Sequence, residues 1–114
     1  MIETRLGDFE EVIMLLVGIL GEQDAYPFRL AHEFEKQTDR EVSIGAVHST
    51  LDRLETKGFL RSEIKNATSS RGDRRKRIFT ITALGKRVIH ESMEFKVSLW
   101  KQHPAFAARF NFTT

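Results

Sequence analysis

The chain is 114 residues long, the length of one domain with one core. Its 40% hydrophobic and 30% charged content excludes a disordered chain, and the lack of cysteine excludes disulfide frameworks and cysteine-based metal sites. The net charge is only +2, but Lys65, Arg71, Arg74, Arg75, Lys76 and Arg77 face a single acid, Asp73, on a body that is otherwise slightly acidic, which points to an anionic partner met at one place.

Met1 to Asp8 is too acidic to be a signal peptide. The apolar stretch Val12–Leu20, interrupted at Gly18, is far shorter than the roughly 18–20 residues that cross a bilayer. A cytoplasmic protein with no membrane partner is expected. Asn66-Ala67-Thr68, Asn111-Phe112-Thr113 and Arg71-Gly72-Asp73 are then chance matches to glycosylation and adhesion motifs.

Asp8 and Glu11 make a start resembling a capping box. Phe9, Val12, Ile13, Leu16, Ile19 and Leu20 follow at helical spacing, and Gly21 is the expected stop. Because Val12 to Val17 is apolar all round, this first helix should be deeply buried or touch more than one partner surface. A second helix starts near Pro27, carries Phe28, Leu30, Ala31 and Phe34 as its apolar positions, and ends around Thr38-Asp39-Arg40. Ser43 caps a third helix whose stripe is Ile44, Val47, Leu51 and Leu54 and which Gly58 stops. The opposite face carries Gly45, Ala46, Ser49, Asp52, Arg53 and Thr56, small or hydrogen-bonding residues in its first turns.

Phe59–Ile64 reads as a strand, residues 65–74 as a loop and Arg77–Ile81 as the returning strand, a hairpin with a basic tip. Thr82 caps a final helix running to about Gln102, before Pro104. Its apolar residues fall into two groups, Leu84, Val88, Phe95 and Leu99 on one side and Ile89, Met93, Val97 and Trp100 on the other. A helix packed on one core needs one stripe, so the second should face another chain or a ligand.

Helix, helix, short turn, helix, basic hairpin, long helix is the order of a winged helix-turn-helix, α+β and mostly α. Residues 1–81 would form the DNA-binding region, 82–102 a dimerisation helix, and 103–114 a tail of unassigned role. Residues 43–58 would lie in a DNA major groove as the recognition helix, with Ser43, Gly45, Ala46, Ser49 and Arg53 as candidate contacts. Lys65, Arg71, Arg74, Arg75, Lys76 and Arg77 of the wing (residues 65–77) would meet phosphates or the adjacent minor groove. Taken singly these features have plainer readings: a basic loop is usually a solvated surface, and a polar helix face usually looks at water.

The run from Ser43-Ile44-Gly45-Ala46-Val47-His48 through Lys57-Gly58-Phe59-Leu60 resembles the PadR family of bacterial transcriptional regulators. The likeness continues in Arg71-Gly72, Arg75-Lys76-Arg77-Ile78-Phe79 and Thr82-Ala83-Leu84-Gly85, includes Leu6-Gly7-Asp8-Phe9-Glu10-Glu11, and spans roughly residues 6–100. The resemblance implies a homodimer, mostly repressing transcription, with double-stranded DNA as partner. It implies an interface made by the first and last helices, which places Phe9, Ile89, Met93, Val97 and Trp100 there. Many members lose DNA affinity when a small molecule binds. Trp100, the single tryptophan, is then either the residue on which a small aromatic effector stacks or a plain packing anchor. Two departures stand out. His48 occupies a position where the family usually has a backbone-contacting Tyr; His also donates a hydrogen bond. Gly72-Asp73-Arg74 puts an acid in the wing.

No catalytic or metal site is expected, and no cofactor. His32, His48, His90 and His103 lack metal-ligand spacing, and no glycine-rich phosphate loop follows a strand. The rival reading is a winged helix that binds protein instead of DNA; the Arg-rich hairpin, for which such an adaptor has no need, separates the two.

Overall fold

The computed structural model describes residues 5–66 and 75–105. In chain order the elements are α1 (Asp8–Asp24), α2 (Pro27–Thr38), α3 (Ile44–Thr56), β1 (Leu60–Asn66), β2 (Arg75–Ile81) and α4 (Ala83–Gln102). This is the winged helix-turn-helix expected, mostly helical with one antiparallel hairpin.

The cap of α1 differs from the expectation. Gly7, not Asp8, is the N-cap, and the Glu10 carboxylate accepts from the Gly7 N–H at 2.7 Å. Glu11 is left for another partner. Gly21 does interrupt the helix, with φ 79°, but the chain turns once more before Asp24. Ile13, Met14, Leu16 and Val17 are buried, whereas Leu15 and Ile19 are exposed, so α1 is not covered all round.

Pro27 opens α2 and Asp39, at φ 62°, closes it. Leu30, Ala31 and Phe34 enter the core, but Phe28 is 68% exposed. At 100° per residue Phe28 lies about 110° from the centre of that buried face. Ser43 caps α3 as expected, its Oγ accepting from the Ala46 N–H at 3.0 Å. Val47, Leu51 and Leu54 are fully buried, with Ile44 at the rim, and Gly58 (φ 85°) turns the chain into the hairpin.

Both strands run further toward the tip than expected. Leu60 pairs with Ile81, Ser62 with Phe79, Ile64 with Arg77, Lys65 with Lys76 and Asn66 with Arg75. The Phe79 N–H donates to the Ala25 carbonyl at 2.9 Å, so the joint between α1 and α2 leans on the outer edge of the hairpin.

Thr82 caps α4, accepting from the Gly85 N–H at 3.0 Å and donating to the Gly58 carbonyl at 2.7 Å. Gly85 sits against the strand entrance: a Cβ there would lie 2.1 Å from the Phe59 carbonyl oxygen. Val88 is buried, and Leu84 and Ile89 pack on the core. Further along, Phe95 and Leu99 are exposed. The two expected stripes therefore each divide. Their first members cover the core, and their later members lie beyond it.

Candidate nucleic-acid interface

The outward face of α3 presents Ser43, Gly45, His48, Ser49, Asp52 and Arg53 to solvent, with Ala46 half-buried among them. No acid lies in the first turn. The helix's positive end is thus left uncompensated by side chains, which suits an anion. Ser43 spends an acceptor site on the cap, yet its hydroxyl proton can still be donated.

Two ion clusters hold this helix, one on each flank. On the α1 side Glu10 receives Arg53 Nε at 2.9 Å and Lys57 Nζ at 3.0 Å. Lys57 also donates to the Arg5 carbonyl at 3.1 Å. Burial pushes the Glu10 carboxyl up, but the Gly7 N–H and the Lys57 and Arg53 cations outweigh it and hold the group below its ordinary pKa. Arg53, expected to face DNA, is therefore tied at two nitrogens, Nε to Glu10 and Nη2 to Thr50 Oγ1 at 3.4 Å, while its side chain stays half-exposed at 53%.

On the hairpin side Arg77 reaches back to α3. Its guanidinium donates to Asp52 at 3.2 Å, to Glu55, and to Ser62 Oγ at 3.0 Å, and Ser62 in turn donates to Glu55 at 2.8 Å. Glu10, Lys57, Glu55 and Ser62 are not among the candidate contacts that the sequence offers, and Asp52 appears there only as a member of the polar face of the helix. The alternation Asp52, Arg53, Glu55, Lys57 along one short helix is the only local hint of it.

Lys65 and Lys76 stand opposite each other on the other face of the hairpin, and Lys76 Nζ lies 4.8 Å over the Tyr26 ring. Like charges directly across a ladder are unfavourable unless an anion lies near. Arg75 is exposed at the tip end of β2. Arg71 and Arg74 lie outside the described residues.

Phe9 is half-buried and meets Phe34 edge-on, ring centres 5.5 Å apart, so it serves the core of its own chain. Met93, Val97 and Trp100 are half-buried along α4. Met93 and Val97, with His90, Glu94, Ser98, Lys101 and Gln102, line an open groove of about 780 Å³; Trp100 is not part of that lining. On the neighbouring side of α4, Ser92 and Lys96 both donate to Glu11, a buried carboxylate of α1. Among the described residues no group of histidines and acids could hold a metal ion.

The model of the PadR-like family of transcriptional regulators matches residues 16–91. The chain belongs to that family. Among solved structures, RosR of H. salinarum is similar to this PadR-like protein, 23% identical over 94% of this chain and 89% of that one, with a TM-score of 0.66. A PadR family transcription regulator from hypervirulent Clostridium difficile is 25% identical and covers 87% of this chain and 96% of its own, with a TM-score of 0.56. Bacillus subtilis PadR, solved in complex with operator DNA, has a TM-score of 0.57 at 16% identity; the match spans 75% of this chain but 47% of that longer one. No curated protein is significantly similar in sequence. In this PadR-like chain, the family match runs from the middle of α1 to the middle of α4 and so takes in the whole of α3 and the hairpin.

Proposed function

We propose that the protein is a homodimeric repressor that binds double-stranded DNA sequence-specifically. In this reading α3 enters the major groove, where Gly45, Ala46, His48 and Ser49 approach base edges and Ser43 and Arg53 approach bases or backbone. Lys65, Arg71, Arg74, Arg75 and Lys76 meet phosphates along the wing. It acts by binding, not by catalysis. One observation carries the reading: the outward face of the first two turns of α3 is exposed and free of acids, beside a hairpin on which Lys65 and Lys76 stand directly opposite each other. The complex of B. subtilis PadR with operator DNA supports it by likeness of fold.

The apolar residues that α4 carries beyond its own core, Met93, Val97 and Trp100, support a second copy as partner, with Ile89 and Phe9, which pack on their own core, at the edge of the contact. A small aromatic effector stacking at Trp100 between subunits would loosen the DNA. No helix among the described residues is long and apolar enough to cross a membrane, and we place the protein in the cytoplasm.

Fluorescence anisotropy on duplexes from the gene's own upstream region tests this reading. Specific binding is expected on the order of 10⁻⁸–10⁻¹¹ M and should weaken steeply with salt. A footprint should show two half-sites about one helical turn apart, or a multiple of that. A protein that ignores every duplex even at low salt is not a DNA-binding regulator but the adaptor that the fold also permits.

A further inference from the structure

Among the described wing cations, Arg77 is the one whose surroundings differ most from those of a phosphate ligand. Its three guanidinium nitrogens are each engaged within the chain, by Asp52, Glu55 and Ser62. The backbone dictates this direction, not the choice of rotamer alone. In the ladder Arg77 shares a sheet face with the pairs Ser62–Phe79 and Leu60–Ile81, and Leu60 and Phe79 of that face are buried. The guanidinium also lies 4.8 Å over the Phe79 ring. Lys65 and Lys76 occupy the opposite face; Arg75 shares the face of Arg77 but lies two residues nearer the tip, where it is exposed.

We propose that Arg77 is a positioning residue that fixes the angle between wing and recognition helix, and that it does not bind phosphate. The inference rests on the DNA-binding reading above. If Arg77 swung to a phosphate, Asp52 and Glu55 would lose their cation while facing a polyanion. Glu55, whose side chain is 31% exposed, would keep only Ser62. Left in place, Arg77 joins the two elements that must touch the duplex together and offsets half of the negative charge that Asp52 and Glu55 give the helix that approaches it. The planar fork, which meets three acceptors at once, is the reason for arginine here.

The two roles predict opposite signs for one substitution, measured on the full-length protein with the duplex it footprints. With Arg77 as a strut, Glu55→Gln loosens the wing and weakens binding about fivefold or more, and Arg77→Gln combined with Glu55→Gln is little worse than Arg77→Gln alone. With Arg77 as a phosphate ligand, Glu55→Gln releases the guanidinium, removes a repelling charge and tightens binding. Unchanged or tighter binding by Glu55→Gln, or additive losses in the double variant, would overturn the proposal. Should Glu55→Gln melt below the assay temperature, Asp52→Asn carries the same opposed signs at a position whose side chain is 61% exposed. A wild-type protein that binds no duplex removes the functional reading and this inference with it, whereas wild-type binding with the wrong sign removes the strut alone.

Discussion

At Glu10 one carboxylate closes the first turn of α1 and receives two cations from α3. Its pKa is lowered from 4.5, so its contribution is complete above that value and is lost as pH falls through the lower folded value. Glu10→Gln should cost about 1–3 kcal/mol at neutral pH, measured by thermal melting, and the gap from wild type should close on acidification below the usual carboxylate range. A gap that widens in acid would contradict this role. Two glycines offer a second contrast. Gly85→Ala drives a Cβ into the Phe59 carbonyl oxygen and should cost roughly 3 kcal/mol or more, because both sides of the clash belong to the framework. Gly58→Ala places a Cβ in ordinary contact with Leu84 Cδ2 at 3.8 Å but keeps a positive φ, for a cost of about 1–2 kcal/mol. If denaturant melts ranked them in the other order, the close approach at Gly85 would be in error. The two ion pairs are not local: Glu10 lies 43 and 47 residues from Arg53 and Lys57, beyond the reach of any spacing rule.

Elements were more legible than their contacts. Ser43, Thr82, Pro27 and Gly58 act where their chemistry places them, since a cap, a fixed φ and a permissive φ are decided within a few residues. The start of α1 differs by one residue because Gly7-Asp8 and Glu10-Glu11 offer two registers of the same box, and the helix uses Gly7 with Glu10. Phe28 counts among the apolar positions of α2, but the buried face is set by Leu30, Ala31 and Phe34. The strands run on through Lys65, Asn66, Arg75 and Lys76, polar residues that carry no apolar alternation, because the ladder bonds are made by backbone groups. For α3 the cap is testable by itself. Ser43→Ala should lower stability by about 1 kcal/mol, seen in the melting midpoint, and should also weaken DNA binding through fraying of the first turn. Full affinity in a measurably less stable variant would place that turn away from the duplex.

For the whole molecule the open question in the sequence was what the second stripe of α4 faces. The structure narrows it. Ile89 belongs to the core, while Met93, Val97 and Trp100 lie where α4 has left it. Val97→Glu is predicted to raise the dimer dissociation constant about 30-fold or more by sedimentation, while the winged helix itself melts nearly unchanged. An intact dimer carrying that charge would move the interface elsewhere on the surface.

Gly85 seated on the Phe59 carbonyl, with Thr82 bonded to Gly58, makes the root of α4 a rigid hinge pin. From that pin to Gln102 the helix extends about 26 Å, so a tilt of about 5° moves its far end by about 2 Å. In the proposed dimer, whatever reseats the distal end against the second copy would swing the paired reading heads apart or together by about 2 Å, more than half of a base-pair step of about 3.4 Å. Operator spacing in this protein would be tuned at the end of a long arm, remote from any residue that touches a base.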